Sequence, residues 1–297
     1  MHSRIGSVGV KGIGLIAGLG ALVILLSAPA NAEDIVFNNA DGDNLWMNPL
    51  NWDTGELPDT SSDARLQTDY ANRPIIQDDD EAVTGRFFLG STDHRAYLEI
   101  NGGSLESSGT LRMSYNAGEE SQLDIFGGEL RTPQVGGENM IRVGENSDAL
   151  FNLHDGNVVT GYFYVHDDGV ANIYDGDLFS RWRTRVYDTA TLNLFGGTLR
   201  LRGTSTPLQL QGTGVLNIEH GVMTFIDGDF TSHVASLIDS GNLQGFGVAS
   251  TDHVKFDYDI TASGRTTVWA IPEPSVLGML GIGALLTLMA RKKRLTP

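Results

Sequence analysis

The side chains best suited to chemistry stand at matching positions of one short pattern, which occurs six times: residues 98–105, 123–130, 151–158, 171–178, 192–199 and 216–223. One position collects Asn101, Phe126, His154, Tyr174, Phe195 and Glu219. Rings at repeat spacing could stack on the sugar faces of a polymer, or pack on one another and stabilise their own ladder. A second position, ahead of each copy, collects Arg112, Arg142, Tyr164, Arg185 and Gln209. Guanidinium forks there suit bidentate contacts to a carboxylated or sulfated polysaccharide, and equally ion pairs with the protein's own carboxylates. A third holds Glu99, Asp124, Asn152, Asn172, Asn193 and Asn217, a series fit for stacked amide hydrogen bonds.

Candidate catalytic groups are fewer. Asp155 and Asp175 share one turn position in consecutive copies, a placement that would bring two carboxylates near the spacing of a retaining glycosidase pair. A turn role accounts for both, because Asp tolerates left-handed backbone and other copies carry Gly there. The seven histidines are scattered, with no His-Glu-x-x-His spacing, so no metal ligand set is expected. Asp41-Gly42-Asp43-Asn44 and Asp78-Asp79-Asp80-Glu81 offer calcium only weak oxygen ligation, since neither fits the twelve-residue loop. Solvated acidic turns are the expected role, and no other cofactor is expected. No phosphate-binding loop, nucleophile elbow or basic nucleic-acid patch occurs.

The elements that must position these groups follow from the same repeat. Apolar and polar residues alternate at period two before each turn, as half-buried strands require. A glycine then recurs at 103, 128, 156, 176, 197 and 221. Those intervals suit one coil of a parallel β-solenoid and are too short for a propeller blade. The spacing predicts an all-β chain with about six coils over 91–223, each of two or three strands. A coil stack exposes strand edges at both ends, so β-rich caps are expected at 33–90 and 224–270.

Composition agrees with export. The chain has 297 residues, 37 glycines and no cysteine, so backbone pairing and burial must hold it without disulfides. Between the terminal segments, 14 Lys and Arg face 36 Asp and Glu, a balance of −22 that disfavours nucleic acid as a partner.

Both ends read as sorting signals. Arg4 and Lys11 precede an apolar run over 12–26, and Ala30 and Ala32 stand at the −3 and −1 positions of a signal-peptidase site, so 1–32 is expected to be removed. At the other end an uncharged stretch, 276–290, precedes Arg291-Lys292-Lys293-Arg294. Its 15 residues would form a helix of about 22 Å, short of the roughly 30 Å hydrocarbon core, with the cationic tail on the cytoplasmic side.

With Pro272-Glu273-Pro274 ahead of that short apolar stretch and the basic cluster at the end, residues 271–297 resemble the PEP-CTERM sorting signal. The resemblance implies recognition by a membrane exosortase, a transient stay in the inner membrane, cleavage near Pro272-Glu273-Pro274, and release or attachment at the surface of an exopolysaccharide-making bacterium. The segment 46–58, with Trp46 and Trp52 about a turn followed by Gly55 and Pro58, is similar to the opening of bacterial surface β-helix and autotransporter-like proteins.

These readings together lead to an exported, non-catalytic structural module associated with exopolysaccharide. A polysaccharide lyase or glycoside hydrolase on the same fold, and an adhesin, are the alternatives.

Overall fold

The computed structural model describes residues 32–90, 95–116, 118, 120–133, 139–203 and 205–272. Within them the chain winds as a repetition of three short strands into a parallel β-solenoid of about seven turns.

Each turn places one strand on each of three faces. The first face stacks Ile75–Ile76, 95–101, 120–126, Ala149–Leu153, Val170–Ile173, Thr191–Leu194, Val215–Ile218 and Leu243–Gly245. The second stacks Glu81–Thr84, 104–107, 129–131, 157–160, 177–180, Thr198–Leu201 and Val222–Phe225. The third runs from Glu33–Phe37 and Ser62–Leu66 through Phe87–Leu89, Leu111–Met113, Met140–Val143, 162–165 and 184–186 to Leu208–Leu210.

Period-two alternation decides which side of each strand faces inward. Leu98, Ile100, Leu123, Ile125, Phe151, Leu153, Ile173, Leu192, Leu194, Leu216 and Ile218 all lie in one continuous core. Because a one-residue slip would turn these side chains to water, the core locks the register of every rung.

The recurrent glycines are required by how closely the turns stack. A Cβ on Gly156 would lie 2.6 Å from the carbonyl oxygen of Gly128, and one on Gly176 would lie 2.5 Å from that of Gly156. Gly197 and Gly221 meet the preceding rung at 2.6 and 2.5 Å. Four of these five turn glycines, at 128, 156, 176 and 197, also have positive φ; Gly221 is held by close approach alone.

Parallel pairing starts earlier than the six-copy pattern suggests. Strands at 33–37, 62–66, 75–76, 81–84 and 87–89, all within the segment expected as a cap, pair in the same ladders. They lack the glycine block yet keep the alternation, with Ile35, Phe37, Ala64, Leu66, Phe87 and Leu89 buried. Below them, Trp46, Trp52, Phe37 and Phe87 pack edge to face at centroid separations of 4.8–5.8 Å and close the apolar interior. The Trp52 Nε1–H donates to the Trp46 carbonyl at 2.8 Å, across the turn between the two indoles.

The other end holds the single α-helix of the described residues, Thr231–Asp239, in the segment expected as a β-rich cap. Its apolar positions Val234, Leu237 and Ile238 have helical spacing and are buried. His233 Nε2 lies 2.8 Å from the carbonyl of Leu208, the last strand of the third face, so the helix covers that edge. Thr266–Ala270 pairs antiparallel with Val222–Phe225 and with Val254–Tyr258, ending the parallel second face.

The terminal helices expected within 1–32 and at 276–290 lie outside the described residues, as do Ala30, Glu273, Pro274 and the basic cluster. Pro272 is exposed. Among the described residues no helix is long and apolar enough to cross a membrane.

Candidate functional site

The outer side of the first face carries two adjoining columns, two residues apart along each strand. In one, the amide of Asn152 donates to Asp124 Oδ1 at 2.8 Å, Asn172 donates to Asn152 Oδ1 at 2.9 Å, and Asn193 donates to Asn172 Oδ1 at 2.9 Å. Parallel register puts identical groups opposite one another, so each amide bonds along the stack without distortion. Asn217 continues the register, and its Oδ1 accepts from the backbone N–H of Gly247 at 2.8 Å.

The neighbouring column is the ring series. Phe126 and His154 stack at 4.4 Å, His154 and Tyr174 at 4.9 Å, and Tyr174 and Phe195 at 5.2 Å, with planes within 18° of parallel. This spacing is near the interval between strands, so the rings use one another's faces. They shelter the amide column beside them, where Asn152 and Asn172 are buried although they point outward. Phe126 and Tyr174 remain 48% and 43% exposed. Glu219 continues the column past Phe195 without joining the stack, whereas a register shift sets Asn101 opposite Gly127, so Asn101 falls outside the position expected from the repeat.

Asp155 and Asp175 are exposed and serve their turns. Each accepts through Oδ1 from the N–H of the following glycine, at 2.6 and 2.8 Å. Of the acidic loops, Asp43 accepts from Asn48 at 2.7 Å and Asn51 at 2.5 Å, and the N–H of Leu45 is the main cause of its lowered pKa. Among the described residues, no group of three His, Asp or Glu side chains could hold a metal ion.

No family model, curated protein or solved structure matches this chain.

On the third face, Phe88, Arg112, Arg142, Tyr164, Arg185 and Gln209 stand in register on successive rungs. Arg142 pairs with Glu145, and Arg112 lies 3.8 Å from the same carboxylate. Arg65 pairs with Asp34 at 2.8 Å, and Arg86 with the buried Asp63. Arg185 differs: its guanidinium lies over Tyr164 at 5.0 Å and Tyr187 at 5.5 Å, with no carboxylate partner among the described residues. The ring of His166 stacks on Tyr187 at 4.9 Å, and burial, followed by the charge of Arg142, pushes its pKa down. Burial likewise raises the Tyr164 phenol, while it and the neighbouring Asp188 raise the pKa of Asp167.

Three side chains missed in the repeat alignment complete this face. Between 157–160 and 162–165 the chain spends one residue, Gly161, where the next rung spends two, Arg181 and Trp182. The extra residue is a β-bulge, a device that re-aims side chains. Trp182 emerges 45% exposed, and Arg183 follows it opposite Tyr162. The repeat pattern could not reveal them, because a bulge breaks the spacing on which alignment depends; the run Arg181-Trp182-Arg183-Thr184-Arg185 was the available signal.

Proposed function

We propose that the chain is an exported structural module of the cell surface or extracellular matrix, released through its C-terminal sorting segment and associated with exopolysaccharide. The observation that carries this reading is the uniform outer surface. Along the ring column from Phe126 to Phe195 and the amide column from Asp124 to Asn217 successive rungs keep register, so equivalent groups recur about every 5 Å. A polymer of repeated units can meet such a surface at many points, each weak alone and strong together. The ring stack and the amide column are internally satisfied, which suits a durable scaffold. Asp155 and Asp175, the best carboxylate pair for hydrolysis, are held in turn hydrogen bonds.

Two measurements on the full chain test it. Fractionation of producing cells should place the protein outside the inner membrane, and replacing Pro272-Glu273-Pro274 with alanines should block loss of the tail. Incubation with acidic and neutral polysaccharides should give retention without turnover. New reducing ends or unsaturated products would overturn the structural reading in favour of a hydrolase or lyase. Cell-to-cell aggregation without glycan retention would favour an adhesin.

A further inference from the structure

We propose that the bulged corner at Arg181-Trp182-Arg183 and Arg185 binds the acidic unit of a polysaccharide, with Trp182 stacking on the sugar ring and the arginines taking its carboxylate or sulfate. This rests on the polysaccharide-associated reading and names where and which class of glycan.

Charge accounting points first to this corner. The body between the terminal segments carries 36 acidic residues against 14 Lys and Arg. Among the described residues, nine of the ten other arginines of the body have a carboxylate within ion-pair distance, Arg265 being the exception. Arg181, Arg183 and Arg185, three cations within five residues, have none. The Nε atoms of Arg183 and Arg185 are buried and lack a hydrogen-bond partner. With no carboxylate at either guanidinium, a ligand bearing paired oxygen acceptors would supply the counter-charge that the fold leaves out.

The second line of evidence is aromatic. The inner rings of the Phe126 to Phe195 stack have both faces covered by neighbours. Trp182 has no ring stacked on it among the described residues and is exposed, so it presents the indole face that sugar stacking needs. Gly161 on the preceding rung is confined by the Asn139 carbonyl, 2.6 Å from where its Cβ would lie, and Trp182 Cδ1 lies 3.5 Å from the same point, at ordinary contact. Gly203 on the following rung is equally confined, because a Cβ there would lie 2.6 Å from the Trp182 carbonyl. Tyr164 and Tyr187 orient Arg185 by contact with its planar guanidinium, and Tyr162 stands opposite Arg183 on the preceding rung. Although the whole body is anionic, salt limits its reach to about 8 Å at physiological ionic strength, so the local cations govern a sugar at contact.

Affinity electrophoresis of the full chain at about 0.15 M salt, in gels containing polygalacturonate, dextran sulfate or neutral dextran, tests the site. Retardation is expected in one or both acidic gels and not in neutral dextran, and the acidic gel that retards more identifies carboxylate or sulfate. Trp182→Ala and the double variant Arg183→Gln/Arg185→Gln should each weaken retardation about tenfold or more, corresponding to loss of one strong contact. Far-UV circular dichroism verifies that they fold, and Trp182→Ala, which truncates an exposed ring, stands as the test if the double variant does not. The triple variant Phe126→Ala/Tyr174→Ala/Phe195→Ala, which thins the repeated column and leaves the corner intact, should weaken retardation less than Trp182→Ala does. Retardation lost in that triple variant but kept in Trp182→Ala would overturn this site while leaving the polysaccharide reading intact. No retardation in any gel would overturn both, and self-association abolished by Trp182→Ala without glycan retention would assign the corner to a second copy of the chain.

Discussion

Substituting one turn glycine tests whether contact between coils, and not backbone freedom alone, dictates the repeat. Gly176 has φ +79°, and a Cβ there would lie 2.5 Å from the carbonyl oxygen of Gly156. Ordinary contact starts at 3.4 Å, so in Gly176→Ala the two must part by about 0.9 Å. That carbonyl accepts from the N–H of Asp177 at 3.0 Å, and the retreat breaks the bond, at a cost of about 1 kcal/mol. The left-handed backbone adds about 1–2 kcal/mol for a residue with a Cβ. The total, about 2–3 kcal/mol, should lower Tm by roughly 4–12 °C for a body of this size. Gly247 supplies the comparison, with φ +77° and nothing within 4 Å of its Cβ position. Gly247→Ala should lose only the backbone part. Thermal melts followed by circular dichroism on both variants measure the difference. Equal losses would refute the claim that stacked carbonyls exclude side chains from these turns.

Two further outcomes are expected. Asn172→Ala removes two ladder bonds and leaves the buried Asn152 and the half-buried Asn193 without their partner, costing about 2–4 kcal/mol in urea unfolding, whereas Asn101→Ala on the exposed rim should cost under about 0.5 kcal/mol. His166 has its folded pKa pushed below the ordinary value near 6.5, so the unfolded chain binds the proton first and stability falls as pH drops below about 6.5. His166→Phe keeps the contact with Tyr187 and removes the titration; its urea midpoint should therefore fall less than the parent's between pH 7.5 and 5, and equal falls would show that His166 does not contribute.

The expected assignments of the ladders held where they depended on parallel register. Asn152, Asn172 and Asn193 are legible as an amide column because identical residues at a fixed offset from a turn must face one another once the coils stack. Whether the rings at Phe126, His154, Tyr174 and Phe195 face a sugar or each other was not legible. Side-chain torsions decide it, and the rings close a gap set by the strand interval. The C-terminal helix was missed because Thr231–Asp239 shows its apolar spacing over only nine residues, too few to outweigh the strands around it.

By itself the sequence determined the strand alternation, the glycine turns and the repeat that makes a solenoid, all of them consequences of local chemistry recurring along the chain. The tertiary structure alone decided where the ladders start, how the ends close and which arginines find a carboxylate. Ion pairs such as Arg73 with Glu99, Arg86 with Asp63 and Arg200 with Asp177, and the bulge at Arg181-Trp182, depend on neighbours about one coil away in sequence, and no local pattern records which groups that stacking brings together.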